Sequence, residues 1–208
     1  TNSQFGGAPP TDAQRRFVNS PDQFAILLDR IDHIATSLPD AQVGIAPHSL
    51  RAVTPESLAE VLTLKLNGPL HIHIAEQTKE VDDCIQWSGQ RPVEWLLNHQ
   101  NIDQHWCLIH ATHITQTERQ NIAQSGAVAG LCPITEGNLG DGIFPGVDYL
   151  QDGGRFAVGS DSNVLINAAE ELRTLEYSQR FRDRGRNLLG TVNTSTGRAL
   201  FDHALSGG

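Results

Sequence analysis

Short apolar segments alternate along this chain with segments in which apolar residues recur every three or four positions. The short segments predict five strands, at 43–46, Leu70–Ile74, 106–109, Val128–Leu131 and 156–159. The periodic segments predict helices at 21–38, 55–66, 80–87, 92–98, 116–124, 147–151 and 168–182. Strands that alternate with helices in this way are typical of βαβ units and a parallel sheet. The chain is therefore predicted to have an α/β fold.

Polar side chains follow each predicted strand at or just after its end. They are His48, His73, His110, Thr135 and Asp161. An open sheet and a closed (β/α)8 barrel both fit the alternation, but polar groups from successive strand ends favour a barrel mouth, where such enzymes place their chemistry. A complete barrel has eight strands and about 250 residues. We therefore predict that residues 1–208 form the later part of a TIM barrel, about strands 4–8 with their helices.

Composition excludes several classes of protein. The formal net charge of −9 argues against a nucleic-acid binder, which would carry a basic surface. No apolar run approaches the roughly 20 residues of a membrane helix. Three separated cysteines without a CxxC pair argue against a disulfide scaffold and favour a reducing cytoplasm. Because the sequence contains no methionine, we expect it to be a piece of a longer protein.

The segment from His71 to Glu76 is the first candidate site. Alternation along a strand places His71 and His73 on one face, where two imidazoles can bind zinc. Glu76 follows the strand, where a carboxylate can move protons beside a metal-bound water. A hydrogen-bonded histidine beside a solvated glutamate is an equally good explanation of this segment alone.

Two later strand ends offer further candidates. His110 ends an apolar strand, and His113 on the next turn is interpreted as a structural residue. Asp161 follows a buried strand, where it can ligate a metal or hold a nucleophilic water. It could equally cap the helix that follows. The ordered series His73, His110 and Asp161 is more specific than any one member and indicates a metal-dependent hydrolase.

Two other stretches have features of a binding site. Arg51 follows a strand end beside His48 and can clamp a carboxylate through two parallel hydrogen bonds, although a surface arginine is the commoner case. Residues 132–145 form a long glycine-rich stretch, predicted to be a loop, and ordered loops of this length are usually functional.

The order of these motifs resembles the cytosine-deaminase-like branch of the amidohydrolase superfamily. Within it, the chain is similar to the formimidoylglutamate deiminases of bacterial histidine degradation. The similar segments include HSLRAVTP at 48–55, HIHIAEQTKEVDDC at 71–84, WCLIHATH at 106–113, GAVAGLCPITEGNLGDGIFP at 126–145 and GSDSN at 159–163. Thr135-Glu136 departs from the Ser-Asn pair of the wider group and agrees with these deiminases.

The resemblance implies a zinc-dependent hydrolysis of N-formimino-L-glutamate to N-formyl-L-glutamate and ammonia. It implies that His73 is a zinc ligand, that Glu76 is the proton-shuttling acid and that His110 orients or activates the water. Asp161 is then both a zinc ligand and a partner of the water. His48 and Arg51 would hold the glutamate portion of the anionic substrate.

The family's first strand carries an HxH pair that supplies two more zinc ligands, and no such strand precedes Thr1. We therefore expect those ligands, the first barrel strands and a β-sandwich to lie outside this chain. The full-length protein is expected to be the enzyme, a cytoplasmic homodimer, and the 208-residue chain alone to be inactive. The alternatives are a related hydrolase acting on guanine or another amidine or ring amine, and a truncated domain without catalysis.

Overall fold

The computed structural model describes residues 5–64 and 68–208. In these ranges the helices are α1 (Pro21–Ala35), α2 (Pro55–Leu62), α3 (Thr78–Ser88), α4 (Pro92–His99), α5 (Gln116–Ser125), α6 (Pro133–Leu139), α7 (Gly146–Gln151), α8 (Ala168–Asp183) and α9 (Thr196–Gly207). The strands are β1 (Leu70–Ile74), β2 (Trp106–His110), β3 (Val128–Leu131) and β4 (Arg155–Val158). The chain divides into two compact units, Thr1–His73 and Ile74–Gly208. Within the described ranges, no helix is both long enough and apolar enough to cross a membrane.

The two helices of the first unit begin with the same local signal. Ser20 caps α1 and Thr54 caps α2, each accepting a hydrogen bond from a backbone N–H of the first turn, and a proline follows each cap. These helices bury one apolar face, and the core of the unit contains Leu28, Ile45 and Val61. The sequence predicted these helix starts because capping depends on residues close together in the chain.

The predicted strand at 43–46 is wrong. Two isolated parallel bridges take its place, pairing Ile45 with Leu70 and Ser49 with His73. Pro47 lies between the two bridges and has no N–H to donate, so a continuous ladder cannot form there. Helix α2 ends at Leu62, and the last two residues of the predicted helix, 65 and 66, lie outside the described ranges.

The sheet of the second unit is parallel, as predicted. Strand β2 pairs with β3, with Cys107 opposite Val128, and β3 pairs with β4, with Val128 opposite Arg155. The end of β1 joins β2 through a hydrogen bond of 3.0 Å from Ala111 N to Ile74 O. All four residues of β3 are buried, which fits a central strand covered on both faces. The prediction of an α/β fold with a parallel sheet is confirmed.

Helices α6 and α9 are absent from the sequence-based prediction. The stretch 132–145, predicted to be a loop, contains the seven-residue helix α6, which begins with Pro133 and ends at Gly140 in a left-handed conformation (φ 72°). The glycines in this stretch are typical of a loop, and they led to the loop prediction. The first 20 residues, also predicted to be a loop, contain two 3-10 turns, Phe5–Gly7 and Arg15–Phe17.

A substitution at Gly154, the residue before β4, tests the packing around the ring of Tyr149. A Cβ atom at Gly154 would overlap the ring of Tyr149, which is fully buried. The rings of Tyr149 and Phe144 pack edge to face, with their centroids 5.2 Å apart. We expect Gly154→Ala to lower the free energy of unfolding by about 1–3 kcal/mol, the usual cost of overpacking. Gly137→Ala is the control, because nothing lies within 4 Å of its Cβ position. Urea unfolding of both variants measures the difference, and equal stabilities would contradict this packing.

Candidate active site

The backbone is strained where the strands of the second unit end. Four residues that are not glycine have left-handed φ angles there: Ala75 (50°), His110 (67°), Ala111 (47°) and Asp161 (40°). Such conformations are uncommon for residues with a Cβ and cluster at functional sites. The segments that follow β1 and β2 are joined by a hydrogen bond of 2.9 Å from His113 N to Ala75 O. This edge of the sheet is therefore the candidate active site of the second unit.

His110 lies among three carboxylates at this edge, and its side chain is only 1% exposed. Its Nδ1 is 3.2 Å from Glu136 Oε1. Its Nε2 is 3.8 Å from Glu76 Oε1 and 3.9 Å from Asp161 Oδ2. The Nε2 distances are too long for direct hydrogen bonds, so a small bridging group can fit between these atoms.

The carboxylates change the proton affinity of this imidazole. Burial lowers the pKa of His110, but the hydrogen bond to Glu136 and the charges of Glu76, Glu136 and Asp161 outweigh burial and raise it overall. His110 therefore holds a proton more firmly than a free histidine. This property suits a group that accepts a proton from water.

Three residues at this edge could together hold a metal ion. The ligand-type atoms of His110, Cys132 and Asp161 lie within 4.8 Å of one another. Imidazole, thiolate and carboxylate are the ligands that proteins use for zinc, so the donor set fits that ion. Burial raises the pKa of the Cys132 thiol, and the charges of Glu136 and Asp161 raise it further. Because the thiolate is the ligand form, the imidazole and the carboxylate are the better donors of the three.

Side chains from α6 and α8 support the loop that carries Asp161. Thr135 Oγ1 lies 2.9 Å from Ser162 Oγ and accepts a hydrogen bond of 3.3 Å from Ser162 N. Glu171 Oε2 accepts a hydrogen bond of 2.9 Å from Ile134 N, at the start of α6. Burial raises the pKa of Glu171, and this hydrogen bond only partly offsets the effect. These contacts link the end of β4 to the end of β3.

His113 has a structural position, as the sequence indicated. Its Nε2 donates to the carbonyl of Asp141 at 2.7 Å, and its own carbonyl accepts from Arg91 at 2.7 Å. Gln77 Nε2 donates to Asp141 Oδ1 at 2.9 Å. This network ties the loop that follows α6 to the segments that follow β1 and β2.

The remaining predicted site residues belong to the first unit. The rings of His48 and His73 stack with centroids 4.9 Å apart, and His73 Nδ1 donates to the carbonyl of His48 at 2.8 Å. That hydrogen bond leaves His73 Nε2 as the nitrogen with a lone pair. Within the same unit, a cavity of about 250 Å³ borders His48, and Arg51 lies in the turn that follows.

The structure thus brings Glu76, His110 and Asp161 together, whereas His48, Arg51 and His73 are described within the other unit. Sequence reasoning did not assign a role to Glu136, although it noted the unusual Thr-Glu pair. The signal that could have found it is the position of an acidic residue, Glu136, shortly after the buried strand β3. The roles given to the six predicted residues stay predictions.

Comparisons with known proteins agree with the fold described above. The Amidohydrolase family profile matches residues 17–195. Formimidoylglutamate deiminase from Pseudomonas aeruginosa is 51% identical over the whole chain, which covers 46% of that protein. The chain spans about half the length of such relatives.

Solved structures give the same result for the fold. The crystal structure of an amidohydrolase from Brucella melitensis superposes with a TM-score of 0.97 and 55% identity, and the match covers all of this chain and 46% of that one. An adenosine deaminase from Xanthomonas campestris, solved with bound zinc, has a TM-score of 0.76 at 22% identity, over 88% of this chain and 44% of that one. The prediction of a partial barrel of the metal-dependent amidohydrolase type is confirmed.

Proposed function

The chain belongs to the amidohydrolase family, and from that premise we propose that it forms part of the active site of a formimidoylglutamate deiminase. The reaction would convert N-formimino-L-glutamate and water to N-formyl-L-glutamate and ammonia. The observation that carries the proposal is 51% identity to such an enzyme along the whole chain. The chain covers 46% of that relative, so the activity is proposed for a protein that contains this chain.

The residues around His110 suit the proton movements of this hydrolysis. Water adds to the formimino carbon, and the tetrahedral species collapses as its terminal nitrogen leaves as ammonia. His110 and Asp161 would orient the attacking water and accept its two protons one after the other, and Glu76 would deliver both protons to the departing nitrogen. Glu76 and Asp161 both lie within 4 Å of His110 Nε2, at 3.8 and 3.9 Å, and this proximity supports the proposed roles.

A divalent cation completes the proposed chemistry. We propose zinc, with Asp161 as a ligand in the second unit and His73 as a ligand by resemblance to the family, together with two ligands from outside these 208 residues. Bound zinc would supply a water that ionises near neutral pH. The carboxylate of Asp161 at the sheet edge supports this choice, because carboxylates are zinc ligands in proteins.

Substrate recognition is assigned to the first unit. An anionic glutamate portion needs cationic or hydrogen-bonding partners, and Arg51 can bind a carboxylate with two parallel hydrogen bonds. His48 borders the cavity of about 250 Å³. Its Nδ1 lies 2.9 Å from the hydroxyl of the buried Ser49, which fixes the orientation of the ring. We further propose that the complete protein is a cytoplasmic homodimer that binds neither nucleic acid nor membranes.

A chimera tests the proposed activity. In it, this chain replaces the matching segment of the Pseudomonas aeruginosa enzyme, so that all barrel strands are present. We expect the chimera to release ammonia from N-formimino-L-glutamate and not from guanine or cytosine, because neither base carries the glutamate carboxylates. The unmodified Pseudomonas enzyme is the control for the assay. Turnover of guanine or cytosine in preference to N-formimino-L-glutamate would contradict the proposal.

A further inference from the structure

Glu136 is a buried carboxylate whose role the proposed reaction does not yet explain. Its side chain is 4% exposed. One oxygen, Oε1, accepts a hydrogen bond from Cys132 N at 2.9 Å and lies 3.2 Å from His110 Nδ1. Cys132 is the N-cap residue of α6, so the side chain of Glu136 folds back onto the start of its own helix. The hydrogen bond from Cys132 N anchors Glu136 independently of the histidine.

The contact determines which nitrogen of His110 carries hydrogen. An ionised carboxylate only accepts hydrogen bonds, so in the neutral ring Nδ1 bears the hydrogen and Nε2 bears the lone pair. Nε2 is the nitrogen that faces Glu76 and Asp161. The opposite tautomer would point a hydrogen at those two carboxylates, and the imidazole could then not accept a proton at Nε2.

Backbone geometry alone does not hold the ring in this state. His110 has a φ of 67° and ends β2, which fixes the direction of its Cβ but not the tautomer of the imidazole. Within the described residues, Glu136 is the carboxylate at Nδ1, whereas Glu76 and Asp161 lie at Nε2. Glu136 is therefore in a position to select the tautomer.

We propose that Glu136 is a positioning residue that holds His110 as the Nδ1–H tautomer, so that the lone pair of Nε2 faces Glu76 and Asp161. The catalytic consequence rests on the proposed function, but the tautomer itself does not. Partners of this kind orient a histidine and increase its basicity.

Nitrogen NMR of the histidine-labelled 208-residue chain tests the tautomer directly. Spectra are recorded at alkaline pH, where the ring is neutral, and the signals of His110 are those lost in His110→Asn. We expect hydrogen on Nδ1 in the unmodified chain. In Glu136→Ala we expect the population to shift towards Nε2–H, whereas Glu136→Gln keeps an acceptor oxygen and the Nδ1–H form.

Glu176→Ala is the matched control, because Glu176 is a buried carboxylate on α8 that accepts hydrogen bonds from Leu188 N and Leu189 N, away from the candidate site. It should leave the tautomer of His110 unchanged. Hydrogen on Nε2 in the unmodified chain, or an Nδ1–H form that persists in Glu136→Ala, would overturn the proposal. The unmodified chain decides the first point even if a variant does not fold.

Kinetics of the chimera test the consequence for catalysis. We expect Glu136→Ala to lower kcat by about 10- to 100-fold with little change in KM, Glu136→Gln to recover most of that loss, and Glu176→Ala to retain kcat. A changed tautomer with an unchanged kcat would refute the positioning role. A chimera without any turnover would refute the proposed function and would leave the NMR result standing.

Discussion

Replacement of Glu76 by glutamine in the chimera should lower kcat by about 100- to 10,000-fold, the range over which a positioned acid or base contributes to catalysis. An amide of the same size keeps the shape of the side chain and removes its ability to give up a proton. KM should change little, because Glu76 acts on the departing nitrogen rather than on the glutamate portion of the substrate. Steady-state ammonia release measures both constants.

Glu60→Gln is the control for the loss of a charge, because Glu60 is exposed on α2. It should retain the kcat of the unmodified chimera. If Glu76→Gln kept more than about a tenth of that kcat, Glu76 would not be the proton-shuttling acid, since such a loss falls below the range for a positioned acid or base.

Replacement of Arg51 by alanine should raise KM for N-formimino-L-glutamate by about 10- to 100-fold and leave kcat nearly unchanged. A hydrogen bond to a charged group contributes about 1.5–3 kcal/mol, and each 1.4 kcal/mol corresponds to a factor of ten. Arg51→Lys should recover only part of the affinity, because an ammonium group cannot form two parallel hydrogen bonds to one carboxylate.

The side chain of Arg30 offers the matched control for this prediction. It is an exposed arginine of the same unit, on α1, and Arg30→Ala should leave KM unchanged. If Arg51→Ala instead lowered kcat by about 10- to 100-fold and left KM unchanged, Arg51 would act in the chemical step and not in substrate binding.

The sequence predicted those parts of the structure that depend on local patterns. The caps at Ser20 and Thr54 and the buried strand β3 are encoded by residues within a few positions of one another, and they lie where expected. The strand at 43–46 failed because its apolar residues are followed by Pro47, which interrupts pairing with β1. Helix α6 was missed because the glycines in 132–145 are typical of a loop.

In the candidate site, too, some residues could be predicted from the sequence and one could not. Glu76, His110 and Asp161 were identified because parallel strands place their carboxyl ends at one edge, and the structure brings these three residues together. The contact of Glu136 with His110 joins residues 26 positions apart and depends on an unpredicted helix, so the sequence pattern could not show it. Tertiary packing is what gives Glu136 its place at the site.

Product analysis of the chimera tests the central claim most directly. Deimination breaks the bond from the formimino carbon to its terminal nitrogen, so one turnover should give equal amounts of ammonia and N-formyl-L-glutamate. In water labelled with oxygen-18, the label should appear in the formyl oxygen. Release of L-glutamate and formamide would mean that the other carbon–nitrogen bond breaks, and it would contradict the assignment of this chain to a formimidoylglutamate deiminase.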